Sequence, residues 1–216
     1  MEIIKSLYQF ITIFINTHGK NNKVNFNGAK IKKLKYHIIG NGNSIKIDKN
    51  NKIKNLSVVI NGSNNNLLIS GGCKIESIQI EMWSKNGILT IGSNCTIMGA
   101  FLSVSESNTK LQIGNECLFA SDIEIRTGDS HAVYDLSSGE RLNKGKSITI
   151  GDSCWLAKRV MIMKGGNVPS GSIVSAGSIV TKELLYKNCI YAGVPAQLKR
   201  RDVNWSYSLN EKIRFA

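Results

Sequence analysis

The sequence repeats at a period that neither an α-helix nor a simple β-strand produces. Apolar pairs with one residue between their members recur three times at a spacing of 22 residues, and the fifth pair follows after 37. These pairs are Ile45/Ile47, Leu67/Ile69, Leu89/Ile91, Leu111/Ile113 and Ile148/Ile150. Cys73, Cys95, Cys117 and Cys154 each follow a pair by four residues. A repeat of this length predicts a solenoid whose coils bury their apolar rows only by stacking.

A finer period of six residues appears late in the chain. Apolar side chains occupy every sixth position from Ile150 to Val180. A helix would repeat near 3.6 residues and a strand at 2. Steps of six indicate coils with three short flat faces, so the 22-residue coils each carry a small corner insertion. We therefore predict an all-β fold, a parallel β-helix.

Charge and cysteine content limit the partners and the compartment. The chain has 28 basic and 15 acidic residues, a net charge of +13, which favours polyanionic partners without choosing among them. The five cysteines include no C-x-x-C pair. This pattern favours buried packing in a reducing compartment over a metal site or a disulfide framework. We expect a cytoplasmic protein without a bound metal.

The two ends of the chain differ from the repeat. Met1–Asn16 lacks a basic start and a cleavage site, and we predict a short amphipathic helix there. That helix either caps the end of the domain or packs on a neighbour, or it docks at the inner membrane face, and these alternatives stay open. The predicted organisation is a lead-in over 1–38, the β-helix over 39–184 with a loop at about 126–147, and a helical tail over 185–216.

The late hexads carry a resemblance to a known family. The hexads IGDSCW, LAKRVM, IMKGGN, VPSGSI and VSAGSI, and the segment YAGVPA at 191–196, resemble the hexapeptide-repeat acyltransferases. The resemblance implies a left-handed β-helix and acetyl-CoA as co-substrate. It also implies a homotrimer with active sites between subunits.

The long loop is the predicted site of chemistry. It makes one turn of the repeat about 15 residues longer than the others and contains His131. Acyl transfer to a hydroxyl needs a base near neutral pH, which histidine provides. The segment RTGDSHAVYD, followed by ITIGDSCWLA, resembles the branch that O-acetylates capsular and lipopolysaccharide sugars, including polysialic acid. This resemblance implies that His131 is the base and that Trp155 lines the active site.

Other loop residues have predicted supporting roles. Asp129 and Asp135 flank His131, and either carboxylate is a candidate to orient the imidazole. Arg126 and Tyr134 are candidates to contact the acceptor, and the equal alternative for Arg126 is to cap a strand edge. Ser130 is an alternative nucleophile, but direct attack by the acceptor needs no acyl-enzyme.

Acetyl-CoA has its own candidate residues. Small residues border the thin pantetheine chain, and basic residues suit the phosphates. The family resemblance adds Lys182, after the last hexad, and Pro195, near the adenine. The full set is Ala157, Lys158, Lys164, Ser175, Ala176, Gly177, Lys182, Pro195 and Lys199.

Three functions are compatible with these features. The first is an O-acetyltransferase acting on a bacterial surface glycan, with an acidic one suggested by the charge. The second is a sugar-nucleotide N-acetyltransferase, although no N-terminal βαβ pattern of the kind often found in those enzymes is visible. The third is a non-catalytic basic module binding a glycan or a nucleic acid. We expect no nucleic-acid partner, because no recognised binding motif is present.

Overall fold

The protein folds as a parallel β-solenoid. A computed structural model describes residues 12–209, and this part of the chain contains β-strands and turns but no helix. Successive coils pair in parallel, and β19 and β20 form an antiparallel pair near the C-terminal end. The predicted all-β solenoid is confirmed.

The strands form three flat faces. Face one carries β2 (Lys23–Asn25), β4 (Ser44–Ile47), β6 (Asn66–Ile69), β8 (Ile88–Ile91), β11 (Lys110–Ile113) and β14 (Ile148–Ile150). Face two carries β9 (Thr96–Ile97), β12 (Leu118–Phe119), β15 (Trp155–Leu156), β17 (Ile173–Val174) and β19 (Ile190–Ala192), and β20 (Gln197–Arg200) pairs with its end. Face three carries β1 (Thr12–His18), β10 (Ala100–Val104), β13 (Ile123–Arg126), β16 (Met161–Ile162) and β18 (Ile179–Val180). Three long strands turn from face two to face three: β3 (Lys30–Ile39), β5 (Lys52–Asn61) and β7 (Lys74–Met82).

The 22-residue repeat is the register of the solenoid. Ile45 lies opposite Leu67, which lies opposite Leu89 on the next coil. The same row continues through Leu111 to Ile148, so the extra residues of the long loop leave the register intact. Residues of each pair are buried because alternate strand residues point inward. The core is therefore a stack of aliphatic rows.

The cysteines form an internal ladder. All five are free thiols and buried. The Cys73, Cys95 and Cys117 thiols each donate to a main-chain carbonyl of the following coil, at Sγ–O distances of 3.2 Å. Ser172 and then Cys189 continue this register, because the amides of Trp155 and Ile173 donate to their carbonyls. Cys189 therefore belongs to the ladder, although its sequence spacing conceals it.

Both predicted terminal helices are wrong where the structure describes them. Residues 12–16, the end of the predicted Met1–Asn16 helix, lie in β1, which pairs with β3 in parallel. This stretch is rich in β-branched residues, which favour strands. Residues 1–11 lie outside the described part. The parallel ladder thus begins N-terminal to residue 39.

The predicted helical tail is replaced by strands. After β19 the chain turns at Gly193 and Pro195 and returns as β20. The remainder, to residue 209, is irregular, and residues 210–216 lie outside the described part. Within 12–209, no helix has the length and apolarity needed to cross a membrane.

We predict that the cysteines are inert in the native protein. Hydrogen bonding to the next cysteine and burial raise the pKa of both Cys95 and Cys117 to about 12. Cys154 has a lowered pKa through its bond with Cys117, but its side chain is fully buried. A thiol reagent such as Ellman's reagent at about pH 8 should detect no thiol before unfolding and all five after it. Fast reaction of one native thiol would contradict this.

Candidate functional site

The long loop leaves the solenoid after β13 and returns just before β14. Its base is closed by the Lys146 amide, which donates to the Thr127 carbonyl at 2.9 Å. The loop itself folds as a small hairpin. The Leu142 amide donates to the Val133 carbonyl at 2.8 Å, and an antiparallel bridge joins Tyr134 to Arg141. The insertion is therefore a structured arm.

An ion pair fastens this arm to the solenoid. The Arg141 guanidinium bonds the Glu106 carboxylate with both terminal nitrogens, at 3.1 and 2.6 Å. The Gly145 amide also donates to Glu106, at 3.2 Å. Hydrogen bonding from Arg141 is the main cause that lowers the pKa of Glu106. Glu106 thus holds the arm from the preceding coil.

A second set of polar contacts fixes the backbone around His131. Lys164 forms an ion pair with Asp129, and this contact is the main cause that lowers the pKa of Asp129. The Asn143 amide nitrogen donates to the Asp129 carboxylate at 2.9 Å and to the His131 carbonyl at 2.7 Å. The His131 amide donates to the Asp129 carbonyl at 2.8 Å. These contacts hold the main chain of His131, while its side chain is exposed.

The two carboxylates predicted to orient the His131 imidazole, those of Asp129 and Asp135, are both bonded to other groups. Asp129 is beside the histidine, but its carboxylate is bonded to Lys164 and Asn143. Asp135 accepts hydrogen bonds from the amides of Ser137 and Ser138, at 2.9 and 2.8 Å, and from their hydroxyls. These contacts, led by the Ser137 hydroxyl, lower the pKa of Asp135 to about 2. Asp135 therefore stabilises the hairpin turn.

Trp155 lies on face two within an aromatic cluster. Its ring centroid is 6.1 Å from that of Trp205, which in turn is 5.1 Å from Tyr207. The Trp205 indole nitrogen donates to the Ser153 carbonyl at 2.7 Å. The C-terminal segment thus lies back across the face that carries Trp155, which stays half-exposed.

The topology separates His131 from Trp155 within one chain. The arm leaves at the corner between faces three and one, and Lys164 lies at this corner one coil further on. Trp155 is on face two, which lies opposite that corner in a three-sided coil. The two predicted catalytic residues are therefore attached on opposite sides of the same solenoid.

The candidate acetyl-CoA residues fall into two groups. Five of them share the corner where face two turns into face three: Ala157, Lys158, Ser175, Ala176 and Gly177. The turn containing Pro195 stacks on that region, because the Ile179 amide donates to the Gly193 carbonyl at 3.0 Å. Lys182 is exposed after β18, and Lys199 is exposed on β20. Lys164 lies apart from both groups, at the corner between faces three and one, where it forms an ion pair with Asp129.

The acceptor candidates and several unpredicted residues complete the site. Arg126 pairs with Glu124 and lies 4.7 Å from the Phe101 ring centroid, while Tyr134 is exposed on the arm. Sequence reasoning missed the functional supports Glu106, Arg141, Asn143, Trp205 and Tyr207. No local motif marks them, although Trp205 and Tyr207 are unusual aromatics in a polar tail. Within residues 12–209, no cluster of three metal-ligating side chains occurs.

We predict that Glu106→Gln loosens the arm without unfolding the solenoid. Amide hydrogen exchange within 128–145 should accelerate about threefold to tenfold, because an ion pair between two partly buried side chains is lost. The exposed carboxylate of Glu140 forms no ion pair in the described chain, so Glu140→Gln is the matched control. Unchanged exchange in Glu106→Gln would contradict the anchoring role.

The same ion pair predicts an acid-sensitive arm. The pKa of Glu106 is lowered, so the pair stabilises the arm above the ordinary glutamate pKa of about 4.3. This contribution disappears as the pH falls through the lower folded-state pKa. The protection of the arm amides, corrected for the pH dependence of intrinsic exchange, should therefore fall below about pH 4 in the wild type, and this fall should be smaller in Glu106→Gln, which keeps the Asp129–Lys164 pair. An identical pH profile in both proteins would oppose this assignment.

The chain is similar to known proteins both in sequence and in fold. No family model matches the chain. The chain is 42% identical over 89 residues to the polysialic acid O-acetyltransferase of Escherichia coli O1:K1, covering 41% of this chain and 29% of that enzyme. It is 46% identical over 48 residues to the polysialic acid O-acetyltransferase of Neisseria meningitidis, covering 22% of each protein. The matched segments thus span less than a third of either relative.

Solved structures extend the similarity to nearly the whole chain. The polySia-specific acetyltransferase NeuO superimposes with a TM-score of 0.83 at 29% identity, covering 95% of this chain and 92% of that one. The polysialic acid O-acetyltransferase OatWY gives a TM-score of 0.77 at 25% identity, covering 92% and 93%. The chain is therefore similar to polysialic acid O-acetyltransferases in fold over nearly its whole length, and in sequence over 89 residues.

Proposed function

We propose that this protein is an O-acetyltransferase with a left-handed β-helix that moves an acetyl group from acetyl-CoA to a hydroxyl of a bacterial surface glycan. The observation that carries the proposal is the match to NeuO over 95% of the chain. The sequence similarity to two enzymes named for polysialic acid O-acetylation supports the same chemistry. The net charge of +13 favours an acidic glycan.

In this proposal His131 acts as the general base. Its imidazole takes the proton of the acceptor hydroxyl while the hydroxyl oxygen attacks the thioester carbonyl carbon. The tetrahedral intermediate then collapses, the carbon–sulfur bond breaks, and the imidazolium returns the proton to the departing CoA thiolate. The exposed imidazole on a fastened backbone suits this role, because its approach to the substrate is set by the arm. Trp155 positions the reacting centre with its ring and indole nitrogen.

A complete site in this proposal needs two subunits. His131 and Trp155 lie on opposite sides of one solenoid, so they meet only across an interface. The arm presents the apolar side chains Val133, Leu136 and Leu142 to solvent, with Leu136 fully exposed. Exposed apolar groups on a structured arm are typical of a surface that a neighbour covers. A closed homotrimer would let each arm reach the face of the next subunit.

Acetyl-CoA would lie along the corner between faces two and three. The small residues Ala157, Ala176 and Gly177 leave room for pantetheine there. Lys182 and Lys199 supply exposed positive charge for the phosphates, and Pro195 borders the adenine. Lys158 lies 3.8 Å from Asp122, both exposed, so its ammonium is available to exchange that partner for a phosphate.

We predict that His131→Ala abolishes acetyl transfer. Loss of a general base should lower kcat by about 10²- to 10⁴-fold, with acetyl-CoA binding unchanged. The assay follows CoA release with acidic and neutral glycans, and with amino-sugar nucleotides to test N-acetylation. His18→Ala is the control, because His18 is also exposed but lies on β1. Full activity of His131→Ala would refute the mechanism.

We also predict that two inactive variants restore each other's activity. His131→Ala and Trp155→Ala subunits, unfolded together and refolded as a mixture, should recover about one quarter of the wild-type rate if each site joins two chains of a trimer. Neither variant refolded alone should recover activity. A mixture as inactive as its components would place both residues in one chain's site and contradict the shared arrangement.

A further inference from the structure

One outward row of face two runs from a lysine column to Trp155. Lys30, Lys52 and Lys74 lie opposite one another on three successive coils. The same register then passes through Thr96 and Leu118 to Trp155. We call these six residues the acceptor row. Each points outward, since the residue that follows it in its strand is buried.

The lysine column has no counter-charge within the described chain. None of its three members forms an ion pair among residues 12–209. The carboxylates of the N-terminal coils have other partners: Asp48 pairs with Lys46, Glu76 with Lys54, and Glu81 accepts from Gln79. Like charges directly opposite each other on neighbouring strands destabilise a sheet. A column of three such lysines therefore suits an anionic ligand.

Positive charge is concentrated at the N-terminal end of the solenoid, which carries the lysine column. Residues 12–85 contain 12 lysines and three carboxylates, a net charge of +9. Residues 86–209 contain 13 basic and ten acidic side chains, a net charge of +3. The predicted acetyl-CoA residues all belong to the second segment. Binding of the CoA phosphates therefore does not account for the larger positive charge, which is that of residues 12–85.

Aromatic side chains continue the row towards Trp155. The Tyr207 side chain lies beside Thr96, the member of the row next to Lys74. Its ring lies against Trp205, which lies against Trp155. Flat aromatic surfaces with polar edges suit sugar rings, and lysines suit sugar carboxylates. The row thus changes from cationic to aromatic as it approaches the reaction centre.

We infer that the acceptor row is a binding track for an acidic polysaccharide chain, and that a chain bound along it places one of its sugar units at Trp155. This inference rests on the proposed function and names its acceptor as a polymer. Coils stack about 4.8 Å apart, so the column spans roughly 10 Å and lies about 14 Å from Trp155. A long acidic chain contacts both ends of the row. A short acceptor reaches Trp155 but not the lysines.

The test compares two triple variants of equal charge. The track variant is Lys30→Gln/Lys52→Gln/Lys74→Gln. The control is Lys23→Gln/Lys85→Gln/Lys110→Gln, three exposed lysines outside the row that form no ion pair within 12–209. Binding of labelled long polysialic acid is measured without acetyl-CoA. Acetylation is measured with the long polymer and with a sialic acid dimer. Thermal unfolding checks that both variants fold.

The track predicts a selective loss. Kd and KM for the long polymer should rise about tenfold or more in the track variant, and their further rise with salt should be shallower than in the wild type, because three ionic contacts are already lost. The control should change them less than about twofold. KM for acetyl-CoA and kcat with the dimer should stay at wild-type values in both variants.

Two results would overturn the track. Equal weakening in both triple variants would mean that net charge alone attracts the polymer. Equally tight binding of single-stranded DNA that is weakened by the same three substitutions would assign the row to polyanions in general. The proposed function fails differently: wild-type protein would then release no CoA with any glycan, whatever the binding of polysialic acid.

Discussion

Coil-on-coil registration is the constraint on which the rest of this structure depends. A single coil cannot bury its own aliphatic residues, so each coil is stable only when its amides bond the next coil and its apolar row continues there. For the inward-facing residues, this registration produces the unbroken apolar row from Ile45 to Ile148. It also aligns the cysteine thiols, which donate to carbonyls of successive coils. Outward positions inherit the same alignment. Any residue type that recurs with the repeat becomes a straight surface feature.

A rigid repeat can carry chemistry only where something departs from it. The long arm departs at one corner, and its ends re-enter the register without disturbing it. Glu106 and Lys164 then fasten the arm to the coils before and after it. The backbone of His131 is thereby fixed, while its imidazole is exposed. Under the proposed function, the solenoid would position the catalytic base and the arm would supply its reach.

The sequence predicted what depends on periodicity and missed what depends on long-range contact. Spacing of apolar pairs identified the coils, and the break at 37 residues located the arm. The contact of Arg141 with Glu106 joins residues that are 35 positions apart, so no short-range sequence pattern predicts it. Trp205 reaches Ser153 across 52 residues for the same reason. The prediction of terminal helices is wrong for the residues that the structure describes, because short amphipathic or basic stretches are also compatible with strands at the edge of a sheet. Lys30, Lys52 and Lys74 do follow the 22-residue period, so the sequence alone is enough to predict that they form a column.

The position of Trp155 joins the two halves of the molecule. It belongs to the hexad-rich coils, whose corner suits acetyl-CoA, yet its outward row runs down into the lysine-rich coils. The donor and a polymeric acceptor would therefore approach the same residue from different directions, one along a corner and the other along a face. In the proposed mechanism, His131 would come from another subunit, because the arm that carries it leaves from the opposite corner. A trimer with this geometry would bring donor, acceptor and base together only where two chains meet, which excludes transfer by an isolated subunit.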